Sequence, residues 1–209
     1  ADGATIQASS QQALENGMTL SRCLDQAAAL RAAGVEIPFV LMGYYNPIYQ
    51  MEIGAFAERA AEAGIDGVIV PDLPPEESGP LGEALGIQGI DPIFLLAPTA
   101  NVARVEQIAA RASGFLYLVS LAGVTGARHT LPPALEAFVA RVRAATALPL
   151  AVGFGIGTPD QAARVARIAD GVIVGSALIK AIGAAADPVA GARAFVASLR
   201  EGIDRETIG

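Results

Sequence analysis

Two glycine-containing segments near the end of the chain have a composition suited to binding an anion. The segment GFGIG at residues 153–157 follows an apolar run and leads into a helix start at Thr158, and Gly175-Ser176 leads into a short helical stretch at residues 177–182. Glycines let the backbone approach a ligand closely, and the N–H groups at a helix start point at an anion. Neither segment contains Lys or Arg. The pattern predicts a phosphate site built from backbone donors and the Ser176 hydroxyl, although glycines that only close tight turns would look similar.

A third small-residue segment, SLAGVTGA at residues 120–127, follows another apolar run and is uncharged until Arg128. A segment of this kind at the mouth of a site can close as a lid and exclude water. An ordinary connection between two elements explains the same composition, and local chemistry does not decide between these alternatives.

Other reactive side chains are scarce. Cys23 is the only cysteine and His129 the only histidine. Free cysteines are most often buried, so we expect Cys23 to be a structural thiol rather than a nucleophile. A histidine-based triad or a multi-histidine zinc site would rest on His129 alone, and we expect neither, nor any other metal site.

Elements that would position these segments alternate along the chain. Six short apolar runs lie at residues 38–45, 67–71, 92–97, 115–120, 148–153 and 171–175. Helical patterns lie at residues 20–33, 53–63, 75–85, 102–112, 132–144, 159–168 and 188–200. Gly34 and Gly64 follow the first two of these patterns and are expected to end the helices. The runs are continuously hydrophobic, as strands of a parallel sheet covered on both faces are.

This alternation predicts an α/β fold, and a doubly wound sheet or a (β/α)8 barrel would both fit it. Barrels that bind phosphate place it after their last two strands, where the two glycine segments lie. We therefore favour a (β/α)8 TIM barrel. Residues 1–34 are helical with no strand before them, so the expectation is an incomplete barrel of six βα units, with the first two strands missing, in one domain over residues 1–209.

Bulk composition limits the partners. The 209 residues are 53% hydrophobic and carry a formal charge of −7, which argues against nucleic acid or an anionic membrane surface. No apolar stretch is long enough to span a bilayer, and no basic segment precedes an apolar run as in a signal peptide. The expectation is a soluble, cytoplasmic protein.

Several motifs together resemble those of the tryptophan synthase alpha subunit family. They are ADGATIQ at residues 1–7, PDLPPEES at 71–78, PIFLLAPT at 92–99, LAGVTGA at 121–127, GFGIGTPDQ at 153–161 and GSALIK at 175–180. The motifs occur in the family's order and span essentially the whole chain. The glycine segments alone are shared with many barrels, whereas ADG-TIQ combined with AGVTG and GFGI is specific.

The resemblance implies a carbon–carbon lyase of tryptophan biosynthesis. Such a subunit cleaves indole-3-glycerol phosphate to indole and glyceraldehyde 3-phosphate by a retro-aldol reaction. It holds no cofactor or metal itself and passes indole to a beta subunit, which uses pyridoxal phosphate, within a heterotetramer. The segment YYNP at residues 44–47 resembles the surface that meets the beta subunit.

The resemblance also implies roles for individual residues. Asp2 would be the catalytic carboxylate that holds the indole N–H. The substrate-binding residues would be Ile6, Tyr44, Tyr117, Thr125, Gly126, Phe154, Gly155, Gly175 and Ser176. Thr125 would meet Asp2 when the lid closes. Asp72 would support the site from behind, whereas Asp66 would serve the turn before its strand.

Two departures from the family pattern bear on activity. The family's second carboxylate, a Glu about a dozen residues before the position of Asp2, is the general acid and base, and this chain starts after it. We expect weak activity or none from these residues alone. Leu121 stands where the family often has Arg, which affects the lid. The alternatives are another phosphate-binding barrel enzyme of the same pathway and an inactive fragment that only binds phosphate or a beta subunit.

Overall fold

A computed structural model describes residues 3–120, 134–153 and 155–207. The strands are β1 Val40–Met42, β2 Gly67–Ile69, β3 Asp91–Leu96, β4 Leu116–Val119, β5 Leu150–Gly153 and β6 Gly171–Val172. The helices are α1 Ala4–Glu15, α2 Leu20–Ala32, α3 Tyr45–Met51, α4 Ile53–Glu62, α5 Gly79–Ile87, α6 Val102–Ala109, α7 Ala134–Arg143, α8 Pro159–Ala166, α9 Ser176–Ala184 and α10 Pro188–Thr207. In the described ranges no helix is both long and apolar enough to cross a membrane.

The six strands form one parallel sheet in the order β1-β2-β3-β4-β5-β6. All six predicted strands are therefore confirmed; β3 is as long as its apolar run, and the other five strands are shorter than theirs. A doubly wound sheet reverses its strand order at a switch point, and this sheet does not reverse, so that alternative is wrong. The arrangement is an α/β half-barrel in which successive strands are neighbours.

From β2 to β6 both faces of the sheet carry buried apolar clusters, which explains the continuous hydrophobicity of these strands, whereas Val40 and Met42 of β1 are exposed. Leu116, Leu118, Leu150 and Val152 are fully buried in a cluster with side chains of the surrounding helices. Residues of opposite parity in the same sheet, including Tyr117, form a smaller cluster on the other face with Ile69 and Ile93. Side chains that point to either face of this part of the sheet therefore contact apolar neighbours.

Helix α3 was not predicted. The run at residues 38–45 was interpreted as strand, but β1 ends at Met42 and α3 begins at Tyr45. Pro47 lies in the first turn of α3, where a missing N–H does no harm. The backbone N–H of Tyr45 donates to Asp72 Oδ1 at 2.9 Å, a contact 27 residues away in sequence that local pattern does not reveal.

The expected helix stops after α2 and α4 are confirmed. Gly34 and Gly64 have φ of +86° and +74°, a backbone conformation that favours glycine. Beyond Gly34, Val35 N–H donates to Leu30 at 3.1 Å, and beyond Gly64, Ile65 N–H donates to Ala60 at 3.0 Å. These bonds satisfy carbonyls that the helix end leaves without partners.

Aspartates that precede β2 and β6 stabilise the opposite end of the sheet from the glycine segments. Asp66 accepts from Phe39 N at 2.6 Å and pairs with Arg31 at 2.5 Å, which confirms its expected role in the turn. Asp170 accepts from Leu150 N at 2.8 Å and pairs with Arg143 at 2.7 Å. The hydrogen bond from Arg143, followed by that from Leu150 N, holds the pKa of Asp170 below its usual value.

Candidate functional site

The start of α8 is closed by its own residues. Thr158 Oγ1 accepts from Gln161 N at 3.3 Å, while Gln161 Oε1 accepts from Gly157 N at 2.8 Å and from Thr158 N at 3.2 Å. This is a capping box with Pro159 in the first turn. The predicted cap at Thr158 is confirmed. Because Gln161 Oε1 accepts from Gly157 N and Thr158 N, these two amides are occupied within the protein.

The start of α9 is different. Gly175 occupies its N-cap position, and no described side chain caps it. The first hydrogen bond within the helix runs from Ile179 N to Gly175 O at 3.1 Å. A helix leaves its earlier amides without helical acceptors, here those of Ser176, Ala177 and Leu178. Gly175 and Ser176 are exposed, so an anion can approach these donors.

The two glycine segments meet at one end of the sheet. A Cβ placed on Gly157 would lie 3.2 Å from Ala177 Cβ, so the segment after β5 touches the first turn of α9. Gly155 is exposed and has φ of +75°, in the left-handed region. That conformation favours glycine. At this rim the structure thus brings the segment that contains Gly155 against the first turn of α9 through the contact of Gly157 with Ala177.

Helix α1 reaches this rim from the other end of the chain. A Cβ on Gly175 would lie 3.9 Å from Ile6 Cδ1. Ile6 is half-buried in the first turn of α1, whose N-cap is Gly3. The structure therefore joins the predicted residue Ile6 to the predicted phosphate segment, although more than 160 residues separate them in sequence.

Tyr117 and Gly153 are packed against each other on neighbouring strands. A Cβ on Gly153 would fall 2.5 Å from the Tyr117 ring and hydroxyl oxygen, so the ring occupies the space that any larger residue at position 153 would need. Tyr117 is 6% exposed, and burial raises its pKa to about 12. The phenol is therefore neutral across the physiological range.

Tyr44 lies at the opposite edge of the sheet from α9. It is the N-cap residue of α3 and is 50% exposed. Among the described contacts none joins Tyr44 to Ile6, Gly175 or Ser176, and its predicted role in binding stays a prediction. Asp72, expected to support the site, accepts from the first amide of α3 instead.

Four predicted site residues, Asp2, Thr125, Gly126 and Phe154, lie outside the described residues, as do Leu121 and His129. Cys23 is half-buried rather than fully buried. Among the residues that are described, no cluster of three or more His, Cys, Asp or Glu side chains could hold a metal ion.

Three features of the rim escaped the sequence analysis. Gln161 was visible as the last residue of a Thr-x-x-Gln capping box, but its occupation of the α8 amides was not foreseen. The amides of Ala177 and Leu178 were not distinguished from those of Ser176. The contact between Tyr117 and Gly153 needs the register in which Val119 lies beside Gly153, which one sequence does not show.

Chemically, the rim joins uncharged anion donors to an apolar neighbour. Helix α9 supplies amides and the positive end of its dipole, Gly155 supplies an exposed backbone segment, and Ile6 supplies an apolar side chain. This combination suits a ligand with an anionic group next to an apolar one.

Comparison with known proteins identifies a matching family and similar sequences. A family model described as Tryptophan synthase alpha chain matches residues 1–204. The tryptophan synthase alpha chain of Dehalococcoides mccartyi is 48% identical over 205 residues, which is 98% of this chain and 79% of the relative. That of Chloroflexus aurantiacus is 50% identical over 207 residues, 98% and 78% of the two chains.

Solved structures agree with the sequence relatives. A crystal structure of the tryptophan synthase alpha chain from Legionella pneumophila has a TM-score of 0.89 at 40% identity and covers 98% of this chain and 77% of its own. A crystal structure of tryptophan synthase from M. tuberculosis, in an aminoacrylate- and BRD0059-bound form, has a TM-score of 0.86 at 34% identity, with 97% and 75% covered.

Proposed function

Since this chain belongs to the tryptophan synthase alpha chain family, we propose that the rim formed by α9, Gly155 and Ile6 is where it binds its substrate. The family's reaction is a carbon–carbon lyase step in tryptophan biosynthesis, the cleavage of indole-3-glycerol phosphate to indole and glyceraldehyde 3-phosphate. The family match excludes the alternative of another phosphate-binding barrel enzyme of the pathway.

The uncapped start of α9 carries the proposal. Its amides at Ser176, Ala177 and Leu178 would donate to the phosphate oxygens, and the helix dipole would favour the charge. Gly155 would add a backbone contact from the neighbouring segment. Because the chain has a formal charge of −7, an anionic substrate gains little from the overall field, and these local donors must hold it.

The apolar end of the substrate would extend from this phosphate site past Ile6. The half-buried Ile6 side chain lies beside Gly175, so an apolar ring attached to a bound phosphate group has an apolar neighbour. Asp2 precedes the α1 N-cap residue Gly3 by one position. We assign Asp2 the role implied by the family motif, in which its carboxylate accepts the indole N–H. Phe154, Thr125 and Gly126 keep their proposed roles in substrate binding, and Tyr44 its proposed place beside the indole pocket.

The reaction breaks the bond between indole C3 and the glycerol carbon that carries a hydroxyl. The bonding electrons move to the ring, C3 takes a proton, and the hydroxyl loses its proton as it becomes the aldehyde of glyceraldehyde 3-phosphate. An acceptor on the indole N–H stabilises the intermediate with a protonated C3, because that intermediate acidifies the ring nitrogen. This is the step at which we place Asp2, and a general acid and base must move the other protons.

We further propose that β1 to β6 correspond to the last six strands of an eight-stranded TIM barrel and that residues 1–209 form a single domain. The unreversed parallel order and the barrel fold of the relatives support the correspondence. Among the described residues, only α1 and α2 precede β1. We also propose that a beta subunit is the partner and the cytoplasm the location. The family's alpha chain has no cofactor of its own, since pyridoxal phosphate belongs to the beta chain.

The proposal is tested by following indole release from indole-3-glycerol phosphate in the presence of a beta subunit. We expect slow release that inorganic phosphate inhibits competitively, and an Asp2→Asn chain with a still lower kcat but little change in phosphate inhibition. Phosphate inhibition that is not competitive would refute the α9 site, and an Asp2→Asn chain with native kcat would refute the role of Asp2.

A further inference from the structure

Helix α10 contains two glycines, Gly191 and Gly202, that its helical conformation does not explain. Glycine is among the least favourable residues for a helix interior because it loses the most backbone freedom on folding. The two positions are 11 residues apart, which is about three helical turns, so both lie on one face of α10. That face packs against α8 and α9, the two helices that begin at the glycine segments.

Gly202 lies against the first residue of α8. A Cβ at position 202 would fall 2.7 Å from Pro159 O and 2.8 Å from Pro159 Cβ. Both atoms belong to a backbone carbonyl or a rigid ring, and neither can swing aside. The absence of a side chain at Gly202 therefore sets how closely α10 approaches the start of α8.

Gly191 lies against α9 in the same way. A Cβ at position 191 would fall 2.5 Å from Ala185 Cβ and 3.2 Å from Ala181 O. Helix α9 has only nine residues, so it moves as a short rigid rod. A displacement near Ala181 would therefore also displace Ser176, which lies less than two turns away.

The part of α10 between the two glycines is anchored. Leu199 is 8% exposed and belongs to the large buried cluster on the helix-covered face of the sheet, and Phe195 packs against the same cluster. Helix α10 consequently cannot retreat to accommodate a larger residue at either glycine without loosening that core. The strain of a substitution would pass to α8 or α9 instead.

We propose that Gly191 and Gly202 are positioning residues for the phosphate end of the substrate. Because they have no side chains, α10 packs closely against α8 and α9 and fixes the positions at which these two helices begin. This inference rests on the proposed function of the α9 amides. Gly191 sets the place of those amides, and Gly202 sets the place of the α8 start that follows Gly155. Neither residue touches the substrate.

The test compares Gly191→Ala with Gly183→Ala by calorimetric titration of inorganic phosphate into each full chain. Gly183 lies on α9 itself, is exposed, and has open space where a Cβ would go. We expect Gly191→Ala to weaken phosphate binding about tenfold, which is about the effect of losing one hydrogen bond to a charged group. Gly183→Ala should bind phosphate like the native chain and unfold at the same temperature or a higher one.

A compensating variant separates positioning from simple destabilisation. Ala185→Gly removes the methyl group that a Cβ at position 191 would meet, so the double variant Gly191→Ala with Ala185→Gly should recover most of the phosphate affinity. It should not recover thermal stability, because the added glycine makes the unfolded chain more flexible. In turnover, Gly191→Ala should raise KM by more than it lowers kcat.

The outcomes distinguish the two proposals. A native chain that shows no saturable phosphate binding would overturn the α9 site, and this inference with it. Native phosphate binding together with an unchanged affinity in folded Gly191→Ala would overturn only the positioning role. Weakened binding that Ala185→Gly fails to restore would also overturn it, because the steric contact would then not be the cause.

Discussion

The starts of helices α8 and α9 look alike in the sequence. In the structure they differ in whether a side chain accepts hydrogen bonds from the amides there. Both follow a strand through glycine, but α8 closes its start with Thr158 and Gln161, whereas no described side chain caps α9. A closed start stabilises the protein and offers little to a ligand. An uncapped start leaves amides unsatisfied in the protein itself, and a bound anion can satisfy them.

We expect the largest effect from a substitution that caps the start of α9. Gly175→Asp would place a carboxylate over the α9 amides. The position has room, since the nearest atom that the added Cβ would meet is Ile6 Cδ1 at 3.9 Å. If the carboxylate replaces two charge-assisted hydrogen bonds worth about 1.5–3 kcal/mol each, KM should rise at least about a hundredfold. The free energy of unfolding should stay constant or increase, because Asp is a preferred N-cap.

Gly175→Ala is the matched control for this variant. It adds the same Cβ without a capping group, so KM should change far less than in Gly175→Asp. Steady-state kinetics and urea unfolding of both variants check the prediction. Equal KM values for the Asp and Ala variants would show that α9 does not bind the anion.

Gly153→Ala should have the next largest effect, this time on stability. The added methyl group would overlap the Tyr117 ring, and overpacking of this kind costs about 1–3 kcal/mol. Combining it with Tyr117→Leu, which removes the ring, should recover part of the loss. Urea unfolding of the two single variants and the double variant measures the coupling. Strictly additive losses would contradict the contact.

A complementary variant removes the side chain that closes the start of α8. Gln161→Ala removes the acceptor for Gly157 N and Thr158 N, and we expect a loss of about 1 kcal/mol in the free energy of unfolding. Phosphate affinity should change little, because those amides point into the cap and not at the substrate. A large drop in affinity without a drop in stability would reverse the roles that we assign to the two helices.

A pH titration gives the smallest expected effect. Burial raises the pKa of Tyr117 to about 12, whereas a Tyr in the unfolded chain ionises near 10. The native state therefore holds its proton more tightly, and the stabilisation is complete below about pH 10 and lost as the pH rises toward 12. Chemical unfolding at pH 8 to 11.5 should show a decline that Tyr117→Phe reduces. An identical decline in both chains would contradict this origin.

The sequence predicted most of the fold because its signals are local. Six continuous apolar runs became six parallel strands, and glycines after α2 and α4 ended those helices as expected. Helix α3 was missed because its start is capped by Asp72 from a distant turn. The strand order, which separates a half-barrel from a doubly wound sheet, is likewise a long-range property.

The site was predictable in composition but not in detail. Glycine, Ser176 and the lack of basic residues indicated backbone donors, and the structure brings Ile6 against Gly175 and the segment after β5 against the first turn of α9. The start of α8 is closed because the Gln161 side chain accepts hydrogen bonds from the amides of Gly157 and Thr158. The packing of Tyr117 over Gly153 depends on strand register. Both are set by tertiary contacts that local sequence does not reveal.

The most direct test of the account is to record amide NMR shifts while glyceraldehyde 3-phosphate is added to the full chain. We predict saturable shifts that are largest at Ser176, Ala177 and Leu178, with smaller shifts at Gly157 and Thr158. Largest shifts at Gly157 and Thr158, with none at the start of α9, would contradict the account.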